Sequence, residues 1–175
     1  MTAKKQKQPR KITKQYLENA ALYYLQRYAT STENFRRVMR RKIMRSCHFH
    51  KDDPEAFYPL VDDLVTRYVA SGLLNDEGFA QARVSSLRRQ GRSKNAIMAK
   101  LSAKGLPKAA VADALEGHDD EETELQAALK LVKRKKLGKA TDPKDRQKEM
   151  AVLGRAGFSF EIARAALEYS GDDDE

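Results

Sequence analysis

An all-α fold built from three tandem three-helix repeats is predicted for this chain of 175 residues, on three observations. Apolar side chains recur at helical spacing in segment after segment, and no stretch alternates with the period of a strand. Capping residues and glycines punctuate the chain at intervals suited to short helices. A pattern of helix, glycine stop and capped helix also returns after 52 residues, from Gly105 to Gly157.

The elements follow in order. Thr13 caps a first helix with Leu17, Ala21, Tyr24 and Tyr28 along its inner stripe. Thr30 and Glu33 have the spacing of a capping box and open a second, with Phe35, Val38, Met39 and Ile43 inward. Asp53-Pro54 supplies an N-cap and a first-turn proline for a third, whose stripe of Leu60, Val61, Leu64, Tyr68 and Val69 ends at Gly72. Asn75 opens a fourth that stops at Gly91, and Ser93 a fifth that buries Ile97, Met98 and Leu101 before Gly105. Pro107 begins a sixth, ending at Gly117. Asp119 and Asp120 start a seventh, where carboxylates suit the positive helix end, and it runs to about Lys136, before Gly138. Asp142-Pro143 opens an eighth ending near Gly157, and Ser159 a ninth ending at Gly171.

The 52-residue offset pairs Met98 with Met150, Leu101 with Leu153 and Leu115 with Leu167. The expected organisation is a basic flexible arm over 1–12 and a diverged first repeat over 13–73, with an insertion near 46–58. A second repeat over 74–117, a third over 118–171 and an acidic tail over 172–175 complete it. One such unit buries its apolar face poorly alone, so neighbours are expected to stack into an elongated, curved array.

Charge is segregated. Lys and Arg total 34 against 25 Asp and Glu, a formal net charge of +9. Cations run without acids over 1–14, over 36–45 and from Arg83 to Lys108, and dominate 130–148; acids gather over 52–63, 113–124 and the C-terminal tail. Any one strip reads as a solvated helix face, but three at related places point to a polyanion or an acidic protein surface. The strips fall on or beside the middle helix of each repeat, which predicts a discontinuous positive ridge along one side of the array. The residues expected to make contact are Arg36, Arg37, Arg40 and Arg41; Arg88, Arg89, Arg92, Lys94 and Lys100; and Lys133, Arg134, Lys135 and Lys136.

Catalysis finds little support. Cys47-His48-Phe49-His50, followed by Asp52 and Asp53, holds zinc-ligand types, but its spacing fits no standard site and a loop between helices is the simpler reading. Cys47 lacks an identifiable acid to orient a neighbouring histidine, and His118 beside Asp119 reads as a turn. No P-loop, dinucleotide fingerprint or serine triad occurs. No apolar run is long enough to span a bilayer, the basic start lacks the apolar core of a signal peptide, and a single cysteine excludes an internal disulfide framework. A cytosolic monomer without cofactor or membrane contact is expected. For single- or double-stranded DNA the strips supply phosphate contacts, weak and nonspecific, with Tyr16 and Tyr23 the aromatic candidates.

The segment Gly72-Leu73-Leu74-Asn75-Asp76-Glu77-Gly78-Phe79-Ala80 resembles the GLLDD..FA signature of the RecX regulatory proteins. Gly91, Ile97, Leu101, Lys104-Gly105, Val111, Ala114 and Leu115 continue that pattern, and Gly157-Phe158-Ser159-Phe160, Ile162 and Ala166-Leu167 resemble its GFSYD.I..AL close. The likeness spans about residues 14–170. Asn75 replaces an acid, Phe160-Glu161 replaces Tyr-Asp, and residues 46–58 look like an insertion. The resemblance implies a cytoplasmic bacterial protein that lies along the RecA filament groove and restrains recombinase, ATPase and coprotease activities without a cofactor. A general DNA-binding accessory protein is the alternative.

Overall fold

A computed structural model describes residues 8–116 and 121–169. Among them are nine α-helices and one short 3-10 helix, with no strand. The chain divides into two compact units between Asp76 and Glu77.

The first unit contains α1 (Lys14–Leu25), α2 (Thr32–His50), the 3-10 helix Glu55–Phe57 and α3 (Tyr58–Ala70). Thr13 caps α1 as its sequence suggests, accepting from the Tyr16 amide at 3.1 Å. The α2 cap differs from expectation by one residue. Ser31, fully buried, accepts from the Asn34 amide, while the Thr30 hydroxyl receives the Asn34 side-chain amide at 2.8 Å. Two potential caps stood side by side, and the local pattern could not choose between them. Asp53 and Pro54 likewise start only the 3-10 turn: Asp53 Oδ1 accepts from the Glu55 amide, and α3 proper begins at Tyr58 with Pro59 in its first turn.

The core of this unit is formed by Leu17, Ala21, Phe35, Met39, Ile43, Cys47, Val61, Leu64, Val65 and Tyr68, with Phe35 and Tyr68 edge to face at 5.9 Å. Val69 and Tyr28, expected inside, are exposed. Val69 lies in the last turn of α3, and Tyr28 lies beyond α1, which ends at Leu25, so the helical stripe does not carry it inward. Residues 8–12 are held rather than free. Ile12 is buried in the core, the Ser46 hydroxyl donates to the Arg10 carbonyl at 2.7 Å, and His50 Nε2 donates to the Pro9 carbonyl at 2.9 Å. The segment near 46–58 is therefore the last turn of α2 and the 3-10 link, and it anchors the N-terminal strand of chain.

The second unit holds α4 (Asp76–Arg89), α5 (Lys94–Ala103), α6 (Lys108–Glu116), α7 (Glu121–Lys135), α8 (Pro143–Arg155) and α9 (Phe160–Tyr169). Expectations at Gly117, His118, Asp119, Asp120, Gly171 and the acidic tail lie outside the described residues. Two apolar clusters organise it, one on Val84, Leu87, Ile97, Leu101, Leu106, Val111 and Leu115, the other on Ala128, Val132, Leu153, Phe158, Ile162, Ala166 and Leu167. Leu101/Leu153, Leu106/Phe158, Val111/Ala163 and Leu115/Leu167 occupy matching buried positions 52 residues apart.

Five of the described helix ends, those of α2, α4, α5, α7 and α8, share one chemistry. The amides of Arg92, Leu106, Leu137 and Phe158 donate to the carbonyls of Leu87, Leu101, Val132 and Leu153, each five residues back. This six-to-one bond of the Schellman motif requires a left-handed residue just before the donor. Gly91, Gly105 and Gly157 supply it, but after α7 the residue is Lys136 (φ 54°), not Gly138. Lys51 (φ 59°) does the same after α2, where the Asp52 amide reaches the Cys47 carbonyl. The stop at Lys136 lies 45 residues after Gly91, so the 52-residue spacing holds only for the second and third helices; the longer link before α8 absorbs the difference.

The repeats of the second unit are joined through these turns. Ser93 caps α5 by accepting from the Ala96 amide and donates its hydroxyl to the Ala156 carbonyl at 2.7 Å, while Asn95 Nδ2 donates to the Gly157 carbonyl at 3.0 Å. A Cβ on Gly157 would sit 2.6 Å from Ser93 Oγ, and one on Gly91 2.9 Å from Lys130 Cβ. Here glycine serves both the left-handed backbone and the close approach.

Candidate functional site

The basic strip of the first unit lies on α2. Its N-terminal half is already paired. Glu33, placed in the first helical turn where a carboxylate suits the dipole, meets Arg36 at 3.0 Å and Arg37 at 3.3 Å. Asp62 on α3 receives Arg36 Nε at 3.1 Å and stands 3.7 Å from Arg40, whose guanidinium also lies 5.0 Å from the Tyr58 ring centre. Burial lowers the Arg36 pKa, but hydrogen bonds and charge from Glu33 and Asp62 outweigh it and hold the guanidinium above its ordinary value. Such part-exposed pairs each contribute about 0–1 kcal/mol to stability, yet they cancel much of the field an incoming anion would feel.

The C-terminal half differs. Arg41 and Arg45 are exposed, and among the described residues neither they nor Lys42 has an ion-pair partner. Arg10, Lys42 and Arg45 border a cavity of about 450 Å³, walled by Tyr16, Pro9 and Ser46. Lys42 Nζ donates to the Tyr16 hydroxyl at 3.4 Å and lies 5.4 Å from the centre of its ring. Further along the same helix Met44, His48 and Phe49 are exposed. Arg10, Lys42 and Arg45 were not among the residues singled out from the sequence. Their run of positive charge was visible, but the return of residues 8–10 onto α2 was not.

In the second unit the cations separate by burial. Arg88 is 6% exposed, not a surface residue as its strip suggested. Its guanidinium pairs with Glu124 of α7 and donates to the Arg92 carbonyl at 3.3 Å. Glu124 in turn accepts from the Lys94 amide, at 3.1 and 3.2 Å, and so covers the start of α5. Arg89, one residue on, is exposed and borders an open cavity of about 520 Å³ with Glu122 and Lys130. Arg134 donates to the Gln90 carbonyl at 3.2 Å, which brings the last turn of α7 beside that of α4. Arg92, Lys100, Lys133, Lys135 and Lys136 are exposed, and Lys94 is half-buried. The structure thus groups Arg89, Arg134 and the unforeseen Lys130 around the end of α4. Lys130 was legible as the residue one turn before Arg134.

The other residues singled out by the sequence stand apart from these strips. Cys47 is buried in the core, His48 is exposed and His50 holds the Pro9 carbonyl, so this set does not converge on a shared point. Burial, with help from Asp52 and Asp53, pushes the Cys47 thiol pKa up, away from nucleophile or ligand chemistry. No group of His, Cys, Asp or Glu suited to a metal occurs among the described residues. Tyr23 is exposed beneath Arg27 at 4.1 Å, whereas Tyr16 is half-buried against the core. No helix among the described residues is long and apolar enough to cross a membrane.

Comparison with known proteins matches this architecture. Residues 75–115 match the family description "RecX, second three-helix domain", and residues 122–167 match "RecX, third three-helix domain". A regulatory protein RecX of Myxococcus xanthus is 41% identical over 167 residues, which cover 93% of this chain and 89% of that protein. Its counterpart from Agrobacterium fabrum is 28% identical over 164 residues, covering 91% and 86%. The crystal structure of RecX from Lactobacillus salivarius superposes with a TM-score of 0.68 over 89% of this chain and 95% of that one; at 18% identity this speaks to fold alone.

Proposed function

Because the chain belongs to the RecX family of regulatory proteins, we propose that it binds the RecA recombinase filament in the bacterial cytoplasm and restrains its recombinase, ATPase and coprotease activities. The action is non-enzymatic: the protein occupies filament surface that incoming duplex DNA needs. Family membership across nearly the whole chain carries this reading. The exposed cations without acid partners supply an attraction for an acidic protein surface or for DNA held by the filament. Arg41, Arg89, Arg92, Lys100 and Lys133 to Lys136 remain the contact residues under this reading, whereas Arg36, Arg37 and Arg40 are paired with Glu33 and Asp62 and buried Arg88 serves the fold.

ATP hydrolysis by RecA on single-stranded DNA, titrated with this protein, tests it. A filament regulator lowers hydrolysis at concentrations well below those that cover the DNA. Hydrolysis that stays constant, or falls only in proportion to DNA sites masked, overturns the reading in favour of a general DNA-binding accessory protein.

A further inference from the structure

We propose that the cavity between residues 9–10, α1 and α2 is a phosphate seat for a nucleic-acid strand, formed by Arg10, Lys42 and Arg45 with the Tyr16 hydroxyl. The cations of α2 fall into two sets on one helix. Arg36, Arg37 and Arg40 spend their charge on Glu33 and Asp62, whereas Lys42 and Arg45 face a concave site with no carboxylate on its wall. A recess lined by one sign of charge focuses its field and selects anions.

The seat is also built rather than incidental. Arg10 reaches it only because its own carbonyl is held by Ser46, the Pro9 carbonyl by His50, and Ile12 by the core. Lys42 is steadied by the Tyr16 hydroxyl and ring, so less side-chain freedom is lost when an anion arrives. Among the described residues no carboxylate lines the cavity; Asp52 pairs with Lys11 at 3.6 Å, outside that lining.

A polymeric phosphodiester fits better than a free small anion. The seat opens along a helix whose next exposed residues are Arg41, Met44, His48 and Phe49. Arg41 and Arg45 stand one turn apart, a rise of roughly 6 Å, and offer charge to more than one phosphate of a strand. Cations interleaved with an exposed aromatic ring are the surface that single strands use for backbone tracking and base stacking. The inference concerns nucleic acid bound by this chain alone, so it stands or falls separately from the action on RecA.

Fluorescence anisotropy with a labelled oligothymidylate, titrated with the full chain in the absence of RecA, tests it. A variant carrying Arg10→Gln, Lys42→Gln and Arg45→Gln is compared with one carrying Lys133→Gln, Arg134→Gln and Lys135→Gln, which removes the same charge elsewhere. The seat variant is expected to bind on the order of tenfold more weakly, with a salt-dependence slope smaller by about 2, as for three lost phosphate contacts at about 0.7 each. The comparison variant is expected to lose distinctly less on both readings. Equal losses, or no loss at the seat, overturn the proposal. Photocrosslinking of a 5-bromodeoxyuridine oligomer to the unaltered chain checks the place without any substitution: adducts within residues 10–49 support the seat, and adducts confined to 121–150 overturn it.

Discussion

Arg88 and Arg89 are neighbours in one basic strip, and they have opposite fates. Arg88 is enclosed, tied to Glu124 and through it to the start of α5, while Arg89 stands in solvent at the mouth of an open cavity. On α2 the same division runs along the helix, with Arg36, Arg37 and Arg40 in ion pairs and Lys42 and Arg45 in none among the described residues. A run of positive residues is thus a mixture of joints, neutralised faces and free charge. Only the last of these attracts an outside anion strongly.

The sharpest way to break this contrast is to remove each arginine. Arg88→Ala leaves half-buried Glu124 without its cation, with the Lys94 amide still donating to it, and empties a buried site, so we expect a loss of about 3 kcal/mol. Arg89→Ala should stay within about 0.5 kcal/mol. Chemical unfolding of the two variants measures the gap; equal stability would mean that the Arg88 pair is no joint.

The glycine turns grade the next effects. Gly157→Ala must both hold a left-handed backbone and push against Ser93 Oγ, and we expect a loss on the order of 2–3 kcal/mol. Gly72→Ala meets nothing within 4 Å and carries only the backbone penalty, about 1 kcal/mol. Thermal denaturation should rank Gly157→Ala below Gly72→Ala. The reverse order would contradict the tight docking of the α8–α9 turn on α5.

Ser93→Ala removes the cap of α5 and the bond to the Ala156 carbonyl, with an expected cost of about 1–2 kcal/mol. Ser31→Ala should cost about 1 kcal/mol and Thr30→Ala less, because Ser31 is the residue that accepts from the α2 amide. Melting temperatures of the two variants decide which residue is the cap. The smallest effect has the opposite sign. Lys51→Gly relieves a left-handed lysine and should raise stability by up to about 1 kcal/mol, with no loss of helix signal.

Much of the fold was legible because helix starts and stops are local. Thr13, Ser93, Gly91, Gly105 and Gly157 act where their sequence context places them. The failures are where two local signals compete or a distant partner decides. Thr30 and Ser31 offered the same cap, and Gly138 hid a stop that Lys136 performs. The candidate site was less legible. Which cation is paired depends on Asp62 and Glu124, brought in from other helices, and Arg10 joins Lys42 and Arg45 only through bonds to Ser46 and His50. No spacing rule connects residues so far apart along the chain.

The most direct measurement is inhibition of RecA ATP hydrolysis on single-stranded DNA by two variants of equal net charge. One carries Arg89→Gln, Lys133→Gln and Lys135→Gln, the other Arg36→Gln, Arg37→Gln and Arg40→Gln. Free charge should matter, so the first is expected to need on the order of tenfold more protein for half-inhibition, while the second stays near wild type. Equal potency of both variants, or a greater loss from the paired arginines, would contradict the account.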